Sequence, residues 1–281
     1  MVGSLVEMAR SSLSESAFEP SPREAYLLLG HALGLSETQV MARWDDEVDG
    51  GAERQFRELL ERRLRGEPVA YLLGRREFYG RSFRVDSRVL IPRPETEHLV
   101  ELALSLPLPA EPAILDLGTG SGCIAVTLAL EIPQATVTAV DISLGALAVA
   151  RRNARELGDE ASCRRIRFLA GDLAGAIDLD GFDLVVSNPP YVDLADKPSL
   201  SSEIHEFEPH LALFSPGGGA STIDRLVSEL AGLPPGAHLI FEIGQGQADR
   251  VAAAVSGSQF ELATLLDDYQ GIPRTAVARR T

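Results

Sequence analysis

Ala113-Ile114-Leu115-Asp116-Leu117-Gly118-Thr119-Gly120-Ser121-Gly122 opens as a short apolar run and closes with three glycines separated by single residues. The run reads as a buried strand. The glycines read as a turn that lets the backbone come close to a ligand. Ile124, Ala125, Leu128 and Ala129 follow at helical spacing, so the N-terminus of that helix faces the same place and suits a carboxylate or phosphate. The pattern then repeats. A strand is expected over 136–140, ending at Asp141, and a helix over 144–157. Further strands are expected over 165–169, 182–187 and 238–243, with helices over 222–230 and 248–255. Strands over 260–266 and 275–279, joined by a turn at Gly271-Ile272-Pro273, form a closing hairpin. Alternating strands and helices predict an α/β domain with a mostly parallel, Rossmann-like sheet of seven strands.

In such a sheet, ligands bind beyond the carboxyl ends of the strands. Asp116, the glycine loop, Asp141, Asp172 and Asn188 all lie at those ends. Asp141 suits the two hydroxyls of a ribose, and Asp172 suits the amino group of an adenine. A dinucleotide and S-adenosyl-L-methionine both fit. The dinucleotide fingerprint needs Gly or Ala where Cys123 stands, and no P-loop lysine is present for a nucleotide hydrolase.

The strand over 182–187 runs into Asn188-Pro189-Pro190-Tyr191. Proline has a fixed φ and no N–H, so this loop is stiff and its carbonyls are free for something other than a ladder. The Asn188 side-chain oxygen and the next backbone carbonyl are two acceptors, which matches the two donors of an NH2 group. Tyr191 adds a flat apolar face. The alternative is a plain proline-rich turn. With the glycine loop and Asp116 upstream, this cradle favours S-adenosyl-L-methionine over a dinucleotide.

The composition of all 281 residues sets bounds. Apolar content of 45% is enough for a core, and a net charge of −15 opposes a nucleic-acid backbone. Cys123 and Cys163 match no metal-ligand spacing or disulfide framework, so no metal is expected. No apolar run reaches membrane-spanning length. The first residues lack a basic start and an apolar core segment, so no secretory signal is expected. A cytoplasmic protein follows, and a monomer is the expectation.

Upstream, residues 1–75 read as a helical bundle. Ser21 and Pro22 are placed as N-cap and first helical residue, with a stripe of Ala25, Leu28, Leu29 and Ala32 ended by Gly34. Phe56, Leu59, Leu60 and Leu64 mark a second helix over 53–64. Short alternating runs over 66–94, separated by glycines, read as a β-hairpin linker, and Thr96 is placed as the cap of a helix over 96–104. Domain boundaries are therefore expected at 1–75, 76–110 and 111–281. Arginines 62, 63, 65, 75, 76, 81, 84, 88 and 93 face only Glu67, Glu77 and Asp86 in that stretch. The strip is either a solvated face or a docking surface for an acidic partner. The segment 192–216 is long for a connection and reads as a substrate-facing lid.

Six stretches carry a resemblance: 68–74, 77–80, Ile91-Pro92-Arg93-Pro94-Glu95-Thr96-Glu97, 116–122, 188–191 and Glu242-Ile243-Gly244. Over nearly its full length the chain resembles the class I methyltransferases, and among them the release factor glutamine methyltransferases of the HemK/PrmC type. The cradle alone is shared with N6-adenine methyltransferases of nucleic acid, and glutamine methyltransferases of a ribosomal protein are also related. The resemblance implies a substrate, the glutamine of the Gly-Gly-Gln loop in peptide chain release factors. It implies cofactor contacts from Asp116, Gly118, Thr119, Gly120, Ser121, Gly122, Asp141, Asp172, Leu173 and Asn188. It implies catalysis by Asn188, Pro189, Pro190 and Tyr191, with Arg93, Glu95 and Thr96 also on the substrate. Leu173 stands where some members carry an aromatic residue. The helical bundle would grip the release factor away from the chemistry.

Overall fold

The computed structural model describes residues 1–281 apart from 17, 176, 216–218 and 269. The chain divides into two compact units, Met1–Arg75 with Leu200–Phe207, and Arg76–Ser199 with Glu208–Thr281.

The first unit is helical: α1 (Val2–Ser14), α2 (Glu24–Leu33), α3 (Glu37–Ala42), α4 (Gly50–Leu64) and α5 (Val69–Leu73). Val6, Leu28, Leu29, Val40 and Phe56 are fully buried at its centre. Asp49 caps α4 by accepting from the Gly51 and Ala52 N–H groups, and Ser36 with Gln39 forms a capping box on α3. Two local expectations fail. Ser21 is not the cap of α2, which starts at Glu24 behind Arg23; the Glu24 carboxylate reaches back to the Ser21 N–H at 3.0 Å and holds 21–23 as a turn. Residues 69–73 are helical rather than extended, because Pro68 starts them and Gly74, at φ 66°, ends them.

Arg63 is the largest fully buried side chain. It donates to Glu24 at 2.6 Å, pairs with Glu203 and lies 3.8 Å from the Phe18 ring centroid. Glu203 sits on the helix Ser202–Phe207, so this part of the expected lid packs as a member of the helical unit. The last residue of that expected lid, Pro216, lies outside the described residues.

The second unit starts at Arg76, within the hairpin β1 (Arg75–Phe78) and β2 (Arg81–Arg84), followed by a 3-10 turn Pro94–Thr96 and α6 (Glu97–Ser105). Its sheet strands are β3 (Ala113–Leu117), β4 (Thr136–Asp141), β5 (Ile166–Ala170) and β6 (Leu184–Ser187). A small parallel pair follows, β7 (Val192–Asp193) with β8 (Phe214–Ser215). Then come β9 (His238–Glu242), β10 (Phe260–Asp267) and β11 (Pro273–Arg280). The seven-stranded sheet has the order β10-β11-β9-β6-β3-β4-β5. Pairing is parallel from β9 to β5, and β11 runs antiparallel to both neighbours.

Side chains alternate across the sheet, so each strand feeds two cores. Ile114, Val137, Leu184 and Ile240 join one with Leu128 of the helix Cys123–Glu131. Leu115, Val140, Val185 and Phe241 join the other with Leu226 and Val251. Burial on both faces explains why these strands lack polar alternation. The order places β3 beside β6, so the glycine loop after β3 and the cradle after β6 share one edge.

Candidate active site

The glycine loop turns because Gly118, Gly120 and Gly122 all adopt positive φ, at 73°, 55° and 79°. Gly122 is needed for a second reason: a Cβ there would lie 3.0 Å from the Cβ of Ala150. Asp141 at the end of β4 accepts from the Gly120 N–H at 2.8 Å and from the Ser143 N–H at 2.8 Å. Burial pushes its carboxyl up, against those two donors. Asp116 lies beneath the loop, fully buried. Its Oδ2 accepts from the Thr119 hydroxyl at 2.6 Å and the Ala125 N–H at 3.2 Å, and its Oδ1 has no protein partner.

A cavity of about 320 Å³ opens beyond these strand ends. Gly118, Thr119, Gly120, Ser121, Asp141, Asp172, Leu173, Asn188, Pro190, Arg93 and Thr96 all line it. Asp116, Gly122, Glu95, Pro189 and Tyr191 are not among its lining residues. Ile142 and Leu211 add apolar wall while staying more than half exposed. Asp172 is paired with Arg225 at 3.1 Å, and Leu173 beside it holds φ 50°.

The cradle is supported from behind. Asn188 Nδ2 donates to Thr96 Oγ1 at 3.0 Å, and Thr96 Oγ1 donates to Glu242 Oε2 at 2.7 Å. The Tyr191 hydroxyl donates to Glu242 Oε1 at 2.8 Å. Burial beside this carboxylate pushes the Tyr191 phenol far up, so it stays protonated. The Tyr191 carbonyl accepts from Gln247 Nε2 at 2.9 Å. Thr96 stands at the N-cap position of α6 as its place in the sequence suggests, but its side chain makes no cap bond; its hydroxyl is committed to Glu242 and Asn188. Arg93 pairs with the buried Glu208, which also accepts from the Ile91 N–H at 3.0 Å.

Two family models match the chain: the PrmC N-terminal domain over residues 4–74 and the methyltransferase small domain over residues 97–208. A release factor glutamine methyltransferase of Koribacter versatilis is 42% identical over 95% of this chain and 94% of its own length. The chain belongs to the release factor glutamine methyltransferase family. The enzyme of that name from Bordetella pertussis is 44% identical over 89% of this chain and 92% of its own. Among solved structures, the hMettl16 catalytic domain in complex with the MAT2A 3'UTR hairpin 6 aligns with a TM-score of 0.56 at 17% identity, over 75% of this chain and 81% of that one. That likeness establishes a shared methyltransferase fold.

Within this release factor glutamine methyltransferase family member, three site residues escape a reading of the motifs as isolated stretches. Glu242 stands in a motif stretch, yet nothing in one dimension points it at Asn188 and Tyr191. Gln247 braces the backbone of the cradle. Gly219 sits so close that a Cβ would meet the Tyr191 carbonyl oxygen. Among the described residues, no helix is long and apolar enough to cross a membrane.

Proposed function

We infer that this chain transfers the methyl group of S-adenosyl-L-methionine to the side-chain amide nitrogen of the glutamine in the Gly-Gly-Gln loop of peptide chain release factors. The observation that carries the reading is the amide of Asn188. Its nitrogen gives one N–H to Thr96, which turns the carbonyl oxygen away from Thr96, and the residue lines the cavity.

The residues fit the cofactor. The cavity falls at the small end of the range for ligand sites. Gly118 and Gly120 present bare backbone, Asp141 offers a carboxylate for ribose hydroxyls, and Leu173 with Ile142 offers apolar wall for a base. The unpartnered Oδ1 of Asp116 underlies the same loop and suits a cationic group near it. Asp172 holds an acceptor at the base end, shared with Arg225. When bound, S-adenosyl-L-methionine supplies a methyl group on a positively charged sulfur.

The chain's own residues supply position. An amide nitrogen is a weak nucleophile because its lone pair is delocalised into the carbonyl. Asn188 Oδ1 and the Pro189 carbonyl each accept one N–H, hold the nitrogen and favour its pyramidal form. Pro189 and Pro190 keep the carbonyls fixed, and the Tyr191 ring is held by its hydroxyl against Glu242. Orientation of this kind contributes up to about 7–11 kcal/mol. Asn188 and the Pro189 carbonyl would hold the amide nitrogen through the transfer, and its surplus proton would go to water, so no residue of the chain need serve as a strong base. Arg93 and Glu95 flank the substrate side, Thr96 stands behind Asn188, and the helical unit takes the body of the release factor. A monomer in the cytoplasm suffices for this role.

The test is transfer of labelled methyl from S-adenosyl-L-methionine to a purified release factor, beside its Gln→Ala variant and a duplex DNA control. Label is expected on the wild-type factor alone, with Asn188→Ala enzyme at least roughly a hundredfold slower. Label on DNA would replace this reading with N6-adenine methylation.

A further inference from the structure

Three side chains from separate elements meet in a line behind the cradle. Glu242 ends β9, Thr96 ends a 3-10 turn, and Asn188 follows β6. Glu242 is only 3% exposed. It accepts two hydrogen bonds from hydroxyls, one from Thr96 and one from Tyr191. It does not line the cavity, so it has no direct part in holding a ligand there.

A threonine hydroxyl has one proton and two lone pairs. Thr96 gives its proton to Glu242 and has only lone pairs left for Asn188. The asparagine amide therefore turns its nitrogen to Thr96. Rotated by half a turn, its oxygen would face a second acceptor, and its NH2 would meet the incoming NH2 of a substrate. Both contacts are repulsive. The direction in which Asn188 points is thus decided two hydrogen bonds away, by a carboxylate that does not line the cavity.

We propose that Thr96 and Glu242 are positioning residues that lock the Asn188 amide with its oxygen toward the substrate nitrogen, while the same carboxylate fixes Tyr191. The proposal rests on the reading of the cavity as a site of amide methylation. It explains why an acidic group is kept in a dry place. Burial pushes the Glu242 carboxyl up; the Thr96 and Tyr191 hydroxyls and the charge of Arg274 pull it back, and Glu95 opposes them. An apolar residue would pack there at less cost, but it would leave Thr96 free to rotate its proton toward Asn188.

The experiment compares Thr96→Val, Thr96→Ala and Thr96→Ser with wild type, each checked by thermal melting. The first readout is the Asn188 side-chain amide in a 15N–1H spectrum, assigned by its absence in Asn188→Ala. Its protons should exchange slowly in wild type and in Thr96→Ser, and at least tenfold faster in Thr96→Val and Thr96→Ala. The second readout is steady-state kinetics on a release factor. Removal of the hydroxyl should lower kcat by roughly ten- to a hundredfold with KM and cofactor affinity within about twofold, and Thr96→Ser should restore most of it. A general loss of packing would instead lower melting temperature and raise KM in all three variants. Unchanged amide exchange in the Val and Ala variants overturns the lock. Wild-type enzyme that methylates no release factor would overturn the functional reading, while the amide spectra would still decide the lock.

Discussion

Substituting Asp116 by asparagine should make stability less dependent on pH. Asp116 is fully enclosed. Burial pushes its carboxyl up from 3.8 to about 7, against donation from Thr119 and the Ala125 N–H and with Asp141 adding to the rise. The unfolded chain ionises this group near its ordinary value, while the folded chain holds the proton to about 7. The folded state is therefore favoured below that window, and the advantage is lost as pH rises through it. At about 1.4 kcal/mol per unit, the full span is about 4 kcal/mol, and the part falling between pH 5 and pH 8 is about 2.5 kcal/mol. Asparagine keeps the shape and never ionises. Urea unfolding followed by far-UV circular dichroism should show the variant gaining about 2.5 kcal/mol more over wild type at pH 8 than at pH 5. Trp44, the single tryptophan, lies in the helical unit, so its fluorescence serves as an internal reference for the other transition. The costs of altered hydrogen bonds to Thr119 and Ala125 are present at both pH values and cancel in the comparison. Parallel stability curves for the two proteins would show that the folded site carries the charge without penalty, and the reasoning would fall.

Two further substitutions test other parts of the structure. Gly122→Ala places a Cβ 3.0 Å from Ala150 at a φ of 79°, so it should cost about 1–3 kcal/mol and weaken S-adenosyl-L-methionine binding by calorimetry through a displaced loop. Arg63→Met removes the partner of Glu24 and Glu203 and should destabilise the helical unit by about 3 kcal/mol, read as a lower urea midpoint in Trp44 fluorescence.

The parallel sheet was legible because strands such as 113–117 are buried on both faces and so carry unbroken apolar runs that end at glycine or a carboxylate. The cradle was legible as a motif because Asn188, Pro189, Pro190 and Tyr191 are consecutive. What escaped was decided by partners far along the chain. Thr96 has the local signature of a helix cap, yet Glu242, distant in sequence, competes for its hydroxyl at 2.7 Å and wins. Residues 68–74 have the composition of a strand, and a five-residue helix forms there because Pro68 and Gly74 frame it. The segment 200–207 follows the cradle in sequence, but Arg63 binds Glu203 and gathers it into the helical unit. At Thr96 and at 200–207 a single polar partner overrode the local pattern, and at 69–73 the residues that frame the segment did.

The arginine strip shows the same principle acting on charge. Along the chain, 62–93 is strongly basic. In space, its arginines meet carboxylates of this protein, among them Arg62 with Glu67, Arg63 with Glu24, Arg81 with Glu131, Arg84 with Glu156, Arg88 with Asp86, and Arg93 with Glu208. Four of those partners lie outside the strip, where a local count does not see them. The pairs are not equivalent. Those of Arg81 and Arg84 are partly exposed and contribute about 0–1 kcal/mol each, so an acidic partner displaces them at little cost. Arg93 differs because Glu208 is only 1% exposed at its side chain and takes the Ile91 N–H as well. Removal of Arg93 strands a buried carboxylate at the root of 209–214, where Pro209, Leu211, Ala212 and Phe214 wall the cavity. Docking remains open to Arg81 and Arg84, whereas the charge of Arg93 is spent on shaping the site.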